Sequence, residues 1–122
     1  MARRKLLIIE DEEHIANAER MVLEGDFDVH IANDGKEGIE KAHELKPEVI
    51  LLDIMLPGMN GFDICKKIRA NKDLSETKII MVTAKDQQKD ELEGMGLGAD
   101  DYIMKPFEPI ELMHVVNQVL KS

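Results

Sequence analysis

Five polar residues of this sequence stand behind short apolar runs, and their types suit a site that handles phosphate. They are Glu10, Asp11, Asp53, Thr83 and Lys105. Carboxylates that meet at one place repel one another at short range, so a cation must neutralise them. Hard oxygen ligands in a partly open site favour Mg²⁺, which binds one or two carboxylates together with a phosphate. Lysine and threonine side chains donate hydrogen bonds to phosphoryl oxygens.

The elements that must position these side chains are five strands that alternate with five helices. Apolar, β-branched runs closed by turn residues are typical of buried strands, and apolar residues at helical spacing between them predict helices. The predicted strands are Leu6–Ile9, Val29–Ala32, Val49–Leu52, Ile79–Val82 and Tyr102–Met104. The predicted helices are Glu13–Leu23, Lys36–Leu45, Phe62–Ala70, Asp86–Met95 and Ile110–Leu120.

Strict alternation of strands and helices predicts a doubly wound α/β fold, a parallel sheet with helices on both faces. Five such units with a ligand site near the first and third strands fit the strand order 2-1-3-4-5 of flavodoxin-like folds. Ligands bind beyond the carboxyl ends of the strands in such sheets. We therefore expect Glu10, Asp11 and Asp53 to converge at one edge of the sheet.

Composition limits the class of protein. The chain has 122 residues, 43% of them hydrophobic, which suits one domain over residues 1–122. Its net charge of −9 opposes a phosphate backbone, so we expect no direct nucleic acid binding. No apolar run approaches the roughly 18 residues of a membrane span, so we expect a cytoplasmic protein without membrane contact. The single cysteine, Cys65, has the spacing of a buried helix face.

Two short segments flank the predicted site. The turn after Asp53 contains Leu56, Pro57, Gly58, Met59, Asn60 and Gly61. Proline and glycine fix a tight turn, and glycine lets backbone amides approach a ligand closely, although an ordinary loop explains the same residues. The Lys105–Pro106 bond is a candidate cis peptide. A surface charge and a β-branched strand residue would explain Lys105 and Thr83 without any function.

Five motifs along essentially the whole chain carry a family resemblance. They are Glu10-Asp11-Glu12, Asp53 with Leu56-Pro57-Gly58 and Gly61, Thr83-Ala84, Gly98-Ala99-Asp100-Asp101-Tyr102, and Lys105-Pro106-Phe107. In this order and at this spacing they resemble response-regulator receiver domains of bacterial two-component systems, the CheY-like domains. The resemblance implies a phosphoryl-accepting switch, which is not an enzyme beyond its own phosphorylation and dephosphorylation.

The resemblance also implies roles for the site residues. Asp53 would be the phosphoacceptor, and Asp11 and Asp53 would bind Mg²⁺ with the backbone carbonyl of Met55. Glu10 would act on the metal mostly through water. It stands where an aspartate is commonest in the family, a change that many relatives share.

In the family the phosphorylated state changes a surface that a partner reads. Lys105 would pair with the phosphoryl group, Thr83 would move to hydrogen-bond it, and Tyr102 would move inward. The surface formed by the last two helices and strand five would change. The implied partners are a sensor histidine kinase or a histidine phosphotransfer domain and a downstream protein target.

Three alternatives compete with the receiver. An aspartyl-phosphate hydrolase usually carries a second acid two residues after its nucleophile, but that position is Met55 here. A flavodoxin-like module for FMN would need a phosphate loop after the first strand, where the acidic run Glu10–Glu13 would repel phosphate. The third alternative is a receiver-shaped module that signals by binding alone. The presence of Asp11, Asp53, Thr83 and Lys105 argues against it.

One departure from the family concerns dimerisation. The segment from Ala84 to Phe107 resembles the transcription-factor branch, but basic residues of its receiver dimer are replaced by Glu91 and Val115. Glu91 and Glu111 would then repel where a salt bridge is usual. We expect a monomer in the unphosphorylated state and no such dimer after phosphorylation.

Overall fold

Five parallel strands form one sheet in the computed structural model, which describes residues 3–83 and 98–121. The strands are β1 (Arg4–Ile9), β2 (Phe27–Ala32), β3 (Val49–Asp53), β4 (Lys78–Thr83) and β5 (Asp101–Met104). They lie in the order β2-β1-β3-β4-β5, and each pair of neighbours is parallel. The predicted α/β fold and its strand order are confirmed.

Four of the predicted helices lie among the described residues, and their ends agree with the prediction to within one residue. They are α1 (Glu13–Leu23), α2 (Gly35–Leu45), α3 (Gly61–Arg69) and α4 (Pro109–Lys121), and a 3₁₀ turn at Lys72–Leu74 follows α3. The predicted helix Asp86–Met95 lies outside the described residues. Within the described ranges, no helix has the length and apolar character that would let it cross a bilayer.

The sheet separates two apolar cores, as alternating side chains of buried parallel strands require. On one face Leu7, Ile9, Ile50 and Leu52 pack with residues of α2 and α3, among them Ala42, Ile64 and the fully buried Cys65. On the other face Leu6, Ile8 and Leu51 pack with residues of α1 and α4, among them Ala16, Leu23 and Val116. Cys65 is thus a core residue, as its spacing predicted.

The inward face of α1 differs from the one that its apolar residues predict. The sequence suggests Ile15, Ala18, Met21 and Val22, but Ala18 and Met21 are exposed. The buried residues are Ala16, Glu19 and Leu23. Their spacing of three and four residues is also helical. Apolar residues alone therefore do not identify the inward face of α1, because a glutamate belongs to it.

Arg69 at the end of α3 joins three parts of the chain around the start of β5. Its guanidinium donates to the backbone oxygens of Gly98 at 2.8 Å and Thr77 at 2.7 Å, and pairs with Asp100 Oδ2 at 2.8 Å. The same Asp100 oxygen accepts from the backbone N–H of Ile79 at 2.8 Å. A planar cation with several donors suits such a junction, and it fixes β5 beside β4.

Candidate functional site

The site lies where β1, β3 and β4 end at the carboxyl edge of the sheet. Ile9 is paired with Leu52, so Glu10 and Asp53 are the next residues on adjacent strands. Asp53 is paired with Val82, so Thr83 lies one residue further along β4. Parallel register therefore brings residues that are far apart in the sequence to one place.

Glu10, Asp11 and Asp53 form an acidic cluster, and the name is used for these three residues below. One carboxylate oxygen of each lies within 4.8 Å of the other two. Glu10 and Asp53 are 1% and 5% exposed, and Asp11 is partly buried. Three hard oxygen donors at this spacing fit a divalent cation of the Mg²⁺ type.

Lys105 is the cation that the described chain itself places on the cluster. Its Nζ lies 2.9 Å from Glu10 Oε1 and 3.4 Å from Asp53 Oδ2. Partial burial disfavours the charged ammonium, but the hydrogen bond to Glu10 and the charge of Asp53 outweigh it and raise the pKa of Lys105. The backbone N–H of Lys105 donates to Thr83 O at 2.7 Å, and the Lys105–Pro106 peptide is cis, as predicted.

The buried carboxyl of Glu10 binds a proton more readily than an ordinary glutamate does. Burial and a hydrogen bond with Asp53 together raise the pKa of its carboxyl to about 7, although the hydrogen bond from Lys105 lowers it. Its Oε2 accepts from the backbone N–H of Glu12 at 3.2 Å. Two buried carboxyls beside one ammonium carry more negative charge than the ammonium can balance. A proton or a cation must therefore complete the cluster.

The turn after Asp53 orients its carboxylate. Asp53 Oδ1 accepts from the backbone N–H of Met55 at 3.0 Å, which leaves Oδ2 toward Lys105. Gly58 has a φ of 74°, a left-handed conformation that glycine adopts without strain. A Cβ on Gly61 would lie 2.6 Å from Ile54 Cα and 2.8 Å from Asp53 O. A glycine is thus required at position 61 because the site's own backbone leaves no room for a side chain. The sequence had suggested instead that glycine lets backbone amides approach a ligand.

The two predicted switch residues lie on neighbouring strands beside the cluster. Thr83 is 2% exposed and ends β4, and Tyr102 is partly buried on β5, where it packs against the core on the α2 and α3 side. Met81 pairs with Tyr102 and Thr83 with Met104. Met55, whose side chain is 67% exposed, follows Asp53 in the turn.

One charged residue of this region was missed from the sequence. Glu19 of α1 is 2% exposed, and burial together with the charge of Glu10 raises the pKa of its carboxyl to about 8. The signal was available, because Glu19 stands three residues after Ala16 and four before Leu23. It therefore falls in the buried stripe of α1.

Comparisons with known proteins agree with this geometry. The family model for the response regulator receiver domain matches residues 6–117. The DNA-binding response regulator MtrA of Mycobacterium tuberculosis (strain ATCC 25618 / H37Rv) is 42% identical over 120 residues, which are 98% of this chain and 51% of MtrA. The chain thus spans about half the length of the curated relatives it matches.

Solved structures show the same fold. The chemotaxis response regulator CheY4 of Vibrio cholerae superposes with a TM-score of 0.89 at 29% identity, over 97% of this chain and 99% of that one. The receiver domain of sensor histidine kinase PA1611 from Pseudomonas aeruginosa PAO1 superposes with a TM-score of 0.88 at 27% identity, over 99% and 100% of the two chains. That structure is described with a magnesium ion coordinated in its active site cleft.

The comparisons correct one expectation. The prediction of no direct nucleic acid binding is wrong, because the relative MtrA is a DNA-binding response regulator. The prediction came from the net charge of −9. A net charge describes the long-range electrostatic attraction only of the residues over which it is summed. Here it is summed over this chain, which matches about half of the length of MtrA. The charge of this stretch gives no ground for excluding DNA binding.

Proposed function

This chain belongs to the family of response regulator receiver domains, and from that premise we propose that it is a switch that accepts a phosphoryl group on Asp53. The donor would be a sensor histidine kinase or a histidine phosphotransfer domain. The observation that carries the proposal is the position of Asp53, a carboxylate at the end of a central strand beside one ammonium and two further carboxyls. The relatives are response regulators, which are signalling proteins rather than classical enzymes.

Asp53 would act as the nucleophile. Its Oδ1 is occupied by the Met55 N–H, so Oδ2 is the oxygen that would attack phosphorus. The new O–P bond forms an acyl phosphate while the N–P bond of the donor histidine breaks and its imidazole leaves. Lys105, already 3.4 Å from Oδ2, would donate to the transferred phosphoryl oxygens. Catalysis by such a site is mostly positioning and charge stabilisation.

Glu10, Asp11 and Asp53 would hold Mg²⁺, with the Met55 carbonyl as a further ligand. When bound, the ion neutralises charge on the phosphoryl oxygens. The donor set supports this proposal, since it contains hard oxygens. The magnesium ion of the PA1611 receiver domain supports it as well.

Thr83 and Tyr102 would transmit the change. Thr83 ends β4, the strand next to Asp53, and follows the strand partner of Asp53, Val82. Its hydroxyl could therefore turn toward a phosphoryl group on Asp53. Tyr102 lies two residues before Thr83's strand partner, Met104, and is partly buried. We propose that it moves further inward and alters the surface of β5 and α4 that a downstream partner reads.

Self-phosphorylation tests the proposal. Incubation with acetyl phosphate and Mg²⁺ should add one phosphoryl group to the intact mass, and chelation of the metal should prevent it. An aspartyl-phosphate hydrolase would instead turn over p-nitrophenyl phosphate many times, which we do not expect because the Met55 thioether cannot serve as an acid. Absence of any label, or sustained monoester turnover, would contradict the proposed function.

A further inference from the structure

β2 is an edge strand, and the hydrogen bonds around it show which of its backbone groups face outward. It pairs with β1 and stands at one end of the sheet order. Ala32 O accepts from a backbone N–H just beyond β1 at 3.0 Å, whereas Ile31 O accepts from Lys41 Nζ at 2.6 Å. Because the direction alternates along a strand, Phe27 and Val29 face outward together with Ile31.

This outward edge is open to a further strand. Within residues 3–83 and 98–121, Lys41 is the one side chain that bonds an outward backbone group of β2. It occupies one lone pair of Ile31 O, so this carbonyl can accept a second hydrogen bond. An edge with unpaired N–H and C=O groups is a template for pairing with another chain.

The side chains of β2 form a pattern that is complementary to itself about Val29. Phe27, Val29 and Ile31 are apolar and belong to the core on the α1 and α4 side. Asp28 and His30 alternate with them, so they point to the opposite face, and their side chains are 51% and 33% exposed. Nε2 of His30 lies 3.1 Å from Asp28 Oδ2. An acid and a base thus flank Val29 at equal spacing.

We propose that β2 pairs with β2 of a second copy of this chain, antiparallel and centred on Val29. Two copies related by a two-fold axis then form one continuous sheet and use the same surface on each side. The outward groups of Val29 bond those of Val29 in the other copy. Asp28 of each copy lies opposite His30 of the other, at the Cα spacing of about 4.5 Å that non-hydrogen-bonded pairs have.

The acid and the base select this register. A carboxylate opposite an imidazole accepts a hydrogen bond from the ring in either of its protonation states. A slip by two residues toward either end keeps the outward groups paired but places Asp28 against Asp28, or His30 against His30. Like charges directly opposite each other are destabilising.

The contact is expected to be weak. One pair of strands makes an interface of the small class, below about 1,200 Å², to which transient complexes belong. The net charge of −9 on each copy also opposes association. We expect a dissociation constant on the order of 1 mM, so the chain stays monomeric at the micromolar concentrations of light scattering. The acidic cluster lies outside β2, so the pairing does not require phosphorylation.

Amide NMR of the unphosphorylated wild type, from micromolar to millimolar protein, measures the pairing. Chemical shifts of residues 27–31 and of Lys41 should change as the concentration rises. Val29→Pro removes the central outward donor, and proline is tolerated on the open side of an edge strand. This variant should abolish the concentration-dependent shifts.

Two charge variants test the register without a proline. Asp28→His sets two imidazoles opposite each other and His30→Asp sets two carboxylates opposite each other, so each variant alone should lose the shifts. A mixture of the two restores an acid opposite a base at both places. Unlabelled Asp28→His should therefore shift the β2 amides of isotope-labelled His30→Asp.

His114→Asp is the matched control, because it makes the same change at an exposed position of α4, which packs against α1 and β5. It should associate as the wild type does. All of these variants should still be labelled by acetyl phosphate, which shows that they are folded.

Several results would overturn the proposal. They are wild-type amides that do not respond to concentration, shifts centred on another surface, shifts that persist in both charge variants alone, and a mixture of these variants that stays unshifted while the wild type associates.

Discussion

Lys105 is the residue that lets two buried carboxyls lie side by side at the sheet edge. It contacts both Glu10 and Asp53, and their hydrogen bonds and charges raise its pKa despite the opposing effect of burial. The same ammonium is proposed to bind the phosphoryl group. The two carboxyls that Lys105 contacts are thus the ones proposed to bind the metal, and one of them, Asp53, is proposed to receive the phosphoryl group.

Glu19 should make stability depend on pH. Its pKa is about 8 in the folded protein and its usual value is 4.5, so the folded state holds more protons between these values. The contribution of Glu19 to the free energy of unfolding is then fully present below about pH 4.5 and is lost as the pH rises toward 8. Glu19→Gln should remove this contribution and stabilise the protein by roughly 2–4 kcal/mol at pH 8.

Urea unfolding of both proteins at pH 5 and pH 8 measures the effect. Glu40→Gln, an exposed position, serves as the matched control and should leave the pH profile of the wild type. Glu10 also titrates abnormally, so the wild-type profile alone is not diagnostic, but the difference from Glu19→Gln is. A difference that does not grow with pH would contradict this account of Glu19.

The positions of the acidic residues could be predicted, while their balance of charge could not. Glu10, Asp11 and Asp53 follow strands, and parallel sheets gather strand ends at one edge. The burial of Glu19 required knowledge of which face of α1 turns inward. A count of apolar residues gave the wrong face, because it could not place a glutamate in the core.

At the scale of elements, the turn between β3 and α3 fixes the direction of Asp53. The first residue of α3, Gly61, donates its N–H to Ile54 O at 3.1 Å, and its Cα lies against the backbone of Asp53 and Ile54. Asn60 caps α3 by accepting from the N–H of Phe62 at 2.7 Å. The first residue of α3 thereby packs directly against the end of β3, which carries Asp53.

Gly61→Ala should disturb this arrangement. The new Cβ would meet backbone atoms at 2.6 and 2.8 Å, and backbone cannot rotate away as a side chain can. We expect a loss of about 1–3 kcal/mol in the free energy of unfolding and slower labelling by acetyl phosphate.

Gly25→Ala is the control, since nothing lies within 4 Å of its added Cβ. It should keep wild-type stability and labelling. Equal behaviour of the two variants in urea unfolding would show that the contact at Gly61 does not constrain the site.

Element boundaries were largely predictable because caps and apolar periods agree with each other. Asp34 caps α2 through the N–H of Glu37 at 2.8 Å, and α2 begins one residue before its predicted start. The junction at Arg69 was not predicted. It depends on residues of three separate segments, which no local pattern reveals.

At the scale of the whole molecule, the sheet order explains why residues 10, 53, 83 and 105 meet. With β1 and β3 adjacent in the middle and β4 next to β3, the ends of the first, third and fourth strands lie side by side. Lys105 follows β5 and reaches back over β4, where its N–H bonds to Thr83 O. Alternation in the sequence predicted the parallel sheet, and the strand order followed only when a ligand site near the first and third strands was added to it.

Dimerisation is a second property at this scale. The family resemblance implies that Glu91 and Glu111 face each other in a receiver dimer, so we expect no phosphorylation-dependent dimer. Glu111 is exposed on α4, and Glu91 lies outside the described residues. Light scattering of the phosphorylated protein should give a monomer mass, and Glu111→Lys should promote association by removing the repulsion. A dimer mass for the phosphorylated wild type would contradict this expectation.

The central claim is that Asp53 itself carries the phosphoryl group. After labelling with acetyl phosphate and Mg²⁺, borohydride reduction converts the modified aspartate to homoserine, which peptide mass spectrometry can locate. We predict that homoserine appears at position 53 and nowhere else, and that Asp53→Asn takes up no label. Modification at Asp11 or another carboxyl, or wild-type labelling of Asp53→Asn, would contradict the account.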